Sequence, residues 1–199
     1  MSGSPKFLIV EDDIAVARAV ARALRPRPAV IAISARKALS FLDDNPGNPL
    51  IIDVRLPDGS GFDVLDRARA HDPLVDALMM SGEASFVNRA FEDNVHFIQK
   101  PVGAPLIVAF AERVEERNRA RRARVAVRLN VWTNTFHLTP SEREVLHTVT
   151  IIGVARKDLA ERLAKSEETI KTQVHRLLAK TEHQTLLDAA LALLRESVE

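Results

Sequence analysis

The sequence predicts an α/β unit with a parallel sheet, followed by a smaller all-helical unit of four short helices. Short apolar runs alternate with helical patterns five times between residues 7 and about 105, which is typical of a parallel sheet covered on both faces. Four of those runs end in polar residues. Beyond residue 138 only helical spacing of apolar residues remains.

The composition limits the classes of protein that fit. The chain has 199 residues, of which 46% are hydrophobic and 28% charged. No apolar run approaches the roughly 20 residues of a membrane helix, so a membrane protein or membrane partner is not expected. The absence of cysteine excludes disulfides and thiolate metal sites. Because no apolar segment of signal-peptide length follows the first residues, we expect a cytoplasmic protein.

The charge distribution along the chain is more informative than the net charge of +1. Residues 1–103 carry 12 Lys/Arg and 14 Asp/Glu, residues 104–130 carry 7 and 3, and residues 131–199 carry 9 and 10. The sequence therefore predicts a near-neutral front, a basic middle and a near-neutral tail.

Five strands are predicted where short apolar runs are bounded by polar or turn residues. They cover residues 7–10, 30–33, 50–53, 75–80 and 96–99. The helices between them cover residues 14–24, 35–44, 62–70 and 84–91, and a long helix begins near Pro105. Ser34 can cap the second helix, and Pro26 and Pro28 end the first.

Polar residues at the strand ends form the candidate site. Glu11 and Asp12 follow the first strand, Asp53 ends the third, Ser81 follows the fourth and Lys100 follows the fifth. Because ligand chemistry in open parallel sheets gathers beyond the carboxyl ends of the strands, we expect these side chains at one edge. One such residue would be an ordinary strand end, whereas four strand ends carrying such groups are hard to explain as coincidence.

These residue types are suited to phosphoryl chemistry. Neighbouring carboxylates repel one another unless a cation neutralises them, and an oxygen-only ligand set favours Mg²⁺. A carboxylate beside Mg²⁺ can act as a nucleophile toward a phosphoryl group, whose oxygens Lys100 and Ser81 can then bind. The alternative is an acidic patch that Lys100 and Arg55 merely neutralise.

Residues 5–120 resemble the receiver domain of bacterial two-component response regulators. The resemblance lies in the acidic pair at 11–12, the Asp-x-x-x-Pro-x-x-x-Gly stretch at 53–61, Ser-Gly at 81–82 and Lys-Pro at 100–101. It implies a doubly wound five-stranded sheet in the order 2-1-3-4-5. It also implies a regulator rather than an enzyme, with Asp53 as the phosphoacceptor for a sensor histidine kinase.

The resemblance implies a Mg²⁺ site in which Asp12 is a direct ligand and Glu11 acts mostly through water. Asp53 and the backbone carbonyl of Arg55 complete the protein ligands. Arg55 is bulky and cationic for this place, a feature common in the FixJ-like branch. We expect Arg55 to alter the rate of phosphate loss rather than the chemistry.

Three further positions match functional residues of the same family. Ser81 and Phe97 match the hydroxyl and aromatic switch positions, and Lys100 matches the phosphate-binding lysine. The resemblance implies a cis peptide bond between Lys100 and Pro101. One departure is Asn-Val at 94–95, where the family often has Gly-Ala.

The basic middle is predicted to be one helix over residues 104–128. Its apolar face can close the receiver domain and comprises Leu106, Ile107, Phe110 and Val114. Residues 113–134 then read as a basic helical linker without a heptad seam, so a coiled coil is not expected. Two interpretations stay open: a solvated linker, or a cluster of arginines that contacts DNA phosphate.

The tail begins with a helix start at Thr139-Pro140-Ser141-Glu142, which has the sequence of a capping box. A later helix, capped by Ser166, has a predicted buried stripe of Ile170, Val174, Leu177 and Leu178. Short helices with a tight turn before a polar-faced third helix indicate a helix-turn-helix module.

Residues 138–195 resemble the LuxR-type output domain of the NarL/FixJ response regulators, so we place this domain at 135–199. The matching residues are 138–146, 158–160 and 166–171. The resemblance implies that Lys171, Thr172 and His175 face the DNA groove, with Arg176 beside them. Glu-His at 182–183 replaces a usual Gly-Val, and with the near-neutral tail this predicts weaker nonspecific DNA binding.

The leading hypothesis is a transcription factor controlled by phosphorylation, which favours a homodimer because paired modules read two half-sites. The alternative is a response regulator whose tail mainly binds a protein partner. A phosphatase that uses Asp53 is a third hypothesis, for which the chain supplies no obvious substrate pocket.

Overall fold

A computed structural model describes residues 6–45, 47–83, 94–152 and 159–197, with Ile152 described for its backbone alone. The chain divides into two compact units, Met1–Glu116 and Arg117–Glu199. The predicted helix at 84–91 and the predicted turn at Gly153 lie outside the described residues. No helix in the described part of the chain is both long and apolar enough to cross a bilayer.

The first unit contains the expected parallel sheet. Its strands are β1 (Phe7–Val10), β2 (Ala29–Ala32), β3 (Leu50–Asp53), β6 (Ala77–Ser81) and β7 (Val95–Gln99). Their spatial order is β2-β1-β3-β6-β7 and all four pairings are parallel. The predicted order is thereby confirmed, since β6 and β7 are the fourth and fifth predicted strands.

Helices cover both faces of this sheet. They are α1 (Ile14–Ala23), α2 (Ala35–Asp44), α3 (Gly61–His71) and the first part of α4 (Ala104–Thr135). One apolar cluster joins the sheet to α2 and α3, and a second joins the opposite face to α1 and α4. β3 contributes to both clusters, which explains why its sequence is continuously apolar.

The structure adds one element to the first unit that was not predicted, and it shows that one expectation was wrong. The turn after Asp53 contains a small antiparallel hairpin of β4 (Arg55–Leu56) and β5 (Gly59–Ser60). Leu106 does not close the first unit, because it is 55% exposed. The buried stripe of α4 is Ile107, Phe110, Ala111 and Val114, which follows the helical i, i+3, i+4, i+7 spacing.

The second unit is all-helical. It comprises the rest of α4, α5 (Pro140–Ile152), α6 (Leu159–Arg162), α7 (Glu167–Thr181) and α8 (Leu186–Glu196). The helix predicted at 104–128 extends to Thr135, and Val125, Leu129 and Trp132 are buried in the core of this unit. The unit therefore begins before the predicted boundary at 135. The sequence did not indicate this, because the arginines between these apolar residues hide the stripe that packs on the later helices.

The predicted helix starts of the second unit are confirmed. The Thr139 hydroxyl accepts the Glu142 N–H, and a Glu142 carboxylate oxygen accepts the Thr139 N–H at 2.8 Å. Ser166 caps α7 by accepting the Thr169 N–H at 3.1 Å. Within α7 the buried stripe is as expected, except that Leu178 is only partly buried.

Candidate functional site

The register of the sheet brings the predicted strand ends to one edge. Val10 lies opposite Ile52, so the residues after β1 reach the level of Asp53. Asp53 in turn lies opposite Met80, one residue before Ser81, and Ser81 lies opposite Gln99. The Lys100 N–H donates to the Ser81 carbonyl at 2.8 Å, and the Lys100–Pro101 peptide is cis as expected.

Lys100 binds two of the three carboxylates at this edge. Its ammonium lies 2.5 Å from Asp53 Oδ2 and 2.6 Å from Glu11 Oε2. Glu11, Asp12 and Asp53 each offer a carboxylate oxygen, and these oxygens lie within 4.8 Å of one another. The structure thus unites four residues that are separated by up to 89 positions in the sequence.

Burial makes the charges at this edge strongly interdependent. Glu11 is 1% exposed, and its burial raises its pKa above the ordinary value, an effect that the hydrogen bond from Lys100 offsets only in part. Burial by itself lowers the pKa of Lys100, but the hydrogen bonds to Asp53 and Glu11 outweigh it and raise that pKa overall. The lysine therefore keeps its positive charge between the carboxylates.

The turn that follows β3 also contacts the Asp53 carboxylate. The Arg55 N–H donates to Asp53 Oδ1 at 3.1 Å. Only glycine fits at position 61, since a Cβ there would lie 2.2 Å from the Asp53 carbonyl oxygen and 2.8 Å from Ile52 Cγ2. The glycine of the Asp-x-x-x-Pro-x-x-x-Gly stretch thus allows α3 to begin directly against the end of β3.

The structure separates the roles of the three consecutive acidic residues that follow β1. Asp13 caps α1, because its Oδ1 accepts the N–H groups of Ala15 and Val16 at 2.8 and 3.3 Å. Asp12 is exposed and contributes to the carboxylate cluster, and Glu11 is buried beneath it. A helix cap and a candidate metal ligand are thus adjacent in sequence.

The two switch candidates lie on neighbouring strands, β6 and β7. Ser81 is buried, and its hydroxyl accepts the Glu83 N–H at 3.0 Å. Phe97 is partly buried against the core, with its ring stacked on that of Phe62 at a centroid distance of 6.1 Å. The ring of Phe97 therefore lies between the sheet and α3.

Sequence reasoning missed two residues near Asp53. Glu83 forms an ion pair with Arg55, which links the turn after β3 to the turn after β6. Asp58, in the hairpin after Asp53, accepts the N–H groups of Ala35 and Arg36 at 2.7 and 3.1 Å and so caps α2. The Asp-Gly turn at 58–59 was visible in the sequence, but its partner helix was not.

The DNA-facing candidates all lie on the solvent side of α7. Lys171, Thr172, His175 and Arg176 are exposed, whereas Ile170 and Val174 are buried. The Thr172 hydroxyl donates to the Glu168 carbonyl at 3.0 Å, a bond that keeps this side chain against its own helix. The four candidates form an exposed surface of about two helical turns.

The ligand set at the edge of the sheet fits Mg²⁺. Every donor is a carboxylate or carbonyl oxygen, and hard oxygen ligands of this kind select Mg²⁺ over transition metals. Glu11, Asp12 and Asp53 already lie close enough to share one cation. Receiver domains use Mg²⁺ at an acidic pocket of this kind.

Comparisons with known proteins agree with this geometry. Residues 7–112 match the model of the response regulator receiver domain family. The chain is 29% identical over 186 residues to Nodulation protein W of Bradyrhizobium diazoefficiens, covering 90% of this chain and 81% of that protein. It is 26% identical over 183 residues to the transcriptional regulatory protein FixJ of Rhizobium meliloti, covering 89% of each.

A solved structure extends the similarity of fold to both units. Full-length FixJ from B. japonicum matches with a TM-score of 0.50 and 21% identity, covering 99% of this chain and 98% of that one. At this identity the match concerns the fold alone. It nevertheless spans the α/β unit and the helical unit.

Proposed function

Since this chain belongs to the response regulators that carry a receiver domain and is FixJ-like in its relatives and fold, we propose that it is a transcription factor switched by phosphorylation. A sensor histidine kinase phosphorylates Asp53, and the second unit binds promoter DNA. The observation that carries the proposal is the union of the Asp53 carboxylate, the Lys100 ammonium and two further carboxylates at one edge of the sheet.

Phosphoryl transfer to Asp53 needs an ionised carboxylate oxygen that can reach phosphorus, and compensation for the added charge. In the step, one Asp53 oxygen bonds to phosphorus while the P–N bond of the donor phosphohistidine breaks and the imidazole leaves. Lys100 lies beside Asp53 Oδ2 and can pair with the phosphoryl oxygens. The buried Ser81 hydroxyl is the second candidate to bind them.

The residues that would hold Mg²⁺ in this proposal are Glu11, Asp12, Asp53 and the backbone carbonyl of Arg55. When bound, the ion would neutralise negative charge on the transferred phosphoryl group. Lys100 already pairs with both Glu11 and Asp53, so these carboxylates have a cation of the protein's own. We therefore expect Mg²⁺ to be required for phosphorylation and not for folding.

Phosphorylation is proposed to favour a homodimer through the first unit. A change from 1:99 to 99:1 requires about 5.5 kcal/mol of differential stabilisation. New contacts from the Ser81 hydroxyl to the phosphoryl group, with an inward shift of the Phe97 ring, are the proposed source. Paired second units would then read two half-sites of DNA.

In the second unit, α7 is proposed to enter the major groove. Its buried stripe fixes the helix to the core, which leaves Lys171, Thr172 and His175 free to meet base edges. Lysine can donate to guanine O6 and N7, and the threonine methyl can contact thymine. Arg176 is proposed to bind phosphate, which positions the helix without reading the sequence.

Phosphorylation is tested by incubating the protein with acetyl phosphate, with and without Mg²⁺, and measuring its intact mass. We expect one added phosphoryl group in the presence of Mg²⁺ and none in Asp53→Asn. Asp66→Asn is the matched control, since Asp66 is an exposed carboxylate on α3. Phosphorylation of Asp53→Asn at the wild-type level would contradict the assignment, and Asp12→Ala should remove the Mg²⁺ response while the protein stays folded.

The link from phosphorylation to DNA is tested by titrating both forms with genomic duplex fragments and by sedimentation. We expect the phosphorylated protein to sediment as a dimer and to bind DNA more tightly. Equal mass distributions of the two forms at all concentrations would contradict dimerisation. Failure of both forms to bind any duplex would favour a protein partner for the second unit.

A further inference from the structure

The unit that is proposed to bind DNA begins at Arg117, and its net charge therefore differs from that of the tail counted from residue 131. Met1–Glu116 carries 13 Lys/Arg and 17 Asp/Glu, a net charge of −4, whereas Arg117–Glu199 carries 15 and 10, a net charge of +5. The tail that looked near-neutral from residue 131 onward is therefore part of a basic unit. The difference is the Arg-rich start of that unit in α4.

Four of the six arginines that α4 contributes to the second unit lie on two sides of its buried stripe. Arg119 and Arg122 are three residues apart and so share one side of the helix. Arg124 and Arg128 are four residues apart on the other side, where Arg128 donates to the Glu196 carbonyl at the end of α8 at 2.6 and 3.0 Å. The two sides of the same helix therefore have different neighbours.

The side that carries Arg119 lies toward α5. Asn130 is eleven residues after Arg119, about three helical turns, and so lies on the same side. The Arg143 guanidinium of α5 donates to Asn130 Oδ1 at 2.8 Å. His147 lies one turn after Arg143 on α5. Burial lowers the pKa of His147 most, and the positive charges of Arg143 and then Arg122 lower it further. Four basic side chains from two helices thus form one surface.

We name this the α4–α5 basic surface, and its residues are Arg119, Arg122, Arg143 and His147. It is connected to the start of α7 through α5. Glu144, next to Arg143, accepts a hydrogen bond from the Lys165 ammonium at 2.6 Å. Lys165 immediately precedes Ser166, the cap of α7. The ion pair between Lys165 and Glu144 therefore joins α5, which carries part of the basic surface, to the start of the helix that is proposed to read DNA.

We propose that the α4–α5 basic surface binds the phosphate backbone of the DNA that α7 reads. This proposal rests on the proposed function of the second unit as a DNA-binding domain. Clustered guanidinium groups fit phosphate because they are always charged and donate two hydrogen bonds at once. An acidic protein surface could also meet such a patch. The ion pair that joins α5 to the start of α7 favours DNA, because it holds the surface next to the proposed reading helix, where one duplex can touch both.

The test is the salt dependence of full-length protein, phosphorylated with acetyl phosphate, binding a random-sequence duplex. Arg119→Gln removes an exposed charge from the surface and should reduce the slope of log K against log salt by about one. Arg124→Gln is the matched control, since it removes an exposed arginine from the other side of the same helix. The slope of the control should equal that of wild type.

Each outcome decides the proposal. Equal reductions in Arg119→Gln and Arg124→Gln would show an effect of net charge alone and overturn it. An unchanged slope for Arg119→Gln would also overturn it, and an acidic protein would become the better partner for the surface. If wild type binds no duplex at any salt concentration, the proposed function itself fails. As a second readout, phosphate near His147 should raise the pKa of its ring in the complex, measured by NMR.

Discussion

The two units arrange their functional side chains in opposite ways. In the first unit, the Lys100 ammonium binds the carboxylates of Asp53 and Glu11 at 2.5 and 2.6 Å, and the three side chains are largely buried. In the second unit, the side chains of Lys171 and His175 extend into solvent from a helix whose other face is apolar. One site is held together by its own charges, and the other by the hydrophobic core beneath it.

The difference reflects what each site is proposed to do. A group that accepts a phosphoryl needs charges fixed in advance, because electrostatic interactions are strong where water is excluded. A surface that reads DNA must keep its polar groups hydrated until the duplex replaces the water. Substitutions in the first site should therefore lower both stability and activity. Substitutions on the second surface should lower binding alone, unless they reach the core that supports it.

The largest expected effect concerns that supporting core. A fragment of residues 135–199 lacks Val125, Leu129 and Trp132, which are buried in the core of the second unit. At about 1.5–3 kcal/mol for each fully buried side chain, the loss of roughly 5 kcal/mol or more equals much of the stability of a small domain. We expect fragment 117–199 to melt cooperatively by circular dichroism and fragment 135–199 to be largely unfolded. Equal melting temperatures would contradict the assignment of α4 to this core.

The second effect concerns the charged site. Lys100→Met leaves two buried carboxylates without their cation, which should lower the free energy of unfolding of the first unit by about 3 kcal/mol. Denaturant unfolding measures the loss, and addition of Mg²⁺ should restore more stability to this variant than to wild type. Lys37→Met, at an exposed lysine of α2, is the control. Unfolding of Lys100→Met at the wild-type midpoint would show that its ion pairs contribute no stability.

A smaller effect is expected from the partly buried ion pair between Glu142 and Lys180, which ties α7 to α5. Burial would raise the pKa of Glu142, but the hydrogen bonds from Lys180 and Thr139 outweigh it and lower that pKa. A carboxylate with a lowered folded-state pKa stabilises above its unfolded pKa of about 4.3, and this stability is lost as pH falls through the folded value. Glu142→Gln should therefore lower the free energy of unfolding by on the order of 1 kcal/mol at pH 7. On acidification, this variant should lose less stability than wild type. A thermal-unfolding series between pH 7 and pH 3 measures this, and parallel pH profiles would contradict it.

The smallest effect on stability is expected on the exposed face of α7. Lys171→Ala should change the free energy of unfolding by less than about 0.5 kcal/mol, yet weaken binding to a selected site by about 1–3 kcal/mol and relax preference at one base pair. Arg176→Ala should weaken all duplexes similarly and reduce the salt slope by about one. Titrations on selected and scrambled duplexes distinguish the two. Wild-type binding of both duplexes by Lys171→Ala would mean that α7 does not read DNA.

The sequence by itself determined the elements and their order. Apolar runs, turn residues and caps act over a few positions, so Ser34, Thr139 and Ser166 can be recognised as caps from their immediate neighbours in the chain. The polar strand ends can also be predicted to meet, because parallel strands align their carboxyl ends at one edge. The family resemblance added the roles of those residues, which spacing alone does not supply.

Only the tertiary structure decided which distant residues share a core or a charge. Lys100 contacts Asp53 and Glu11 across 47 and 89 positions. The strand order predicts that these residues share an edge, but it does not predict which carboxylates the ammonium binds. The burial of Trp132 likewise depends on helices that follow it in the chain. Because that burial places the Arg-rich start of α4 in the second unit, its net charge of +5 follows from packing and could not be read from the linear order of charges.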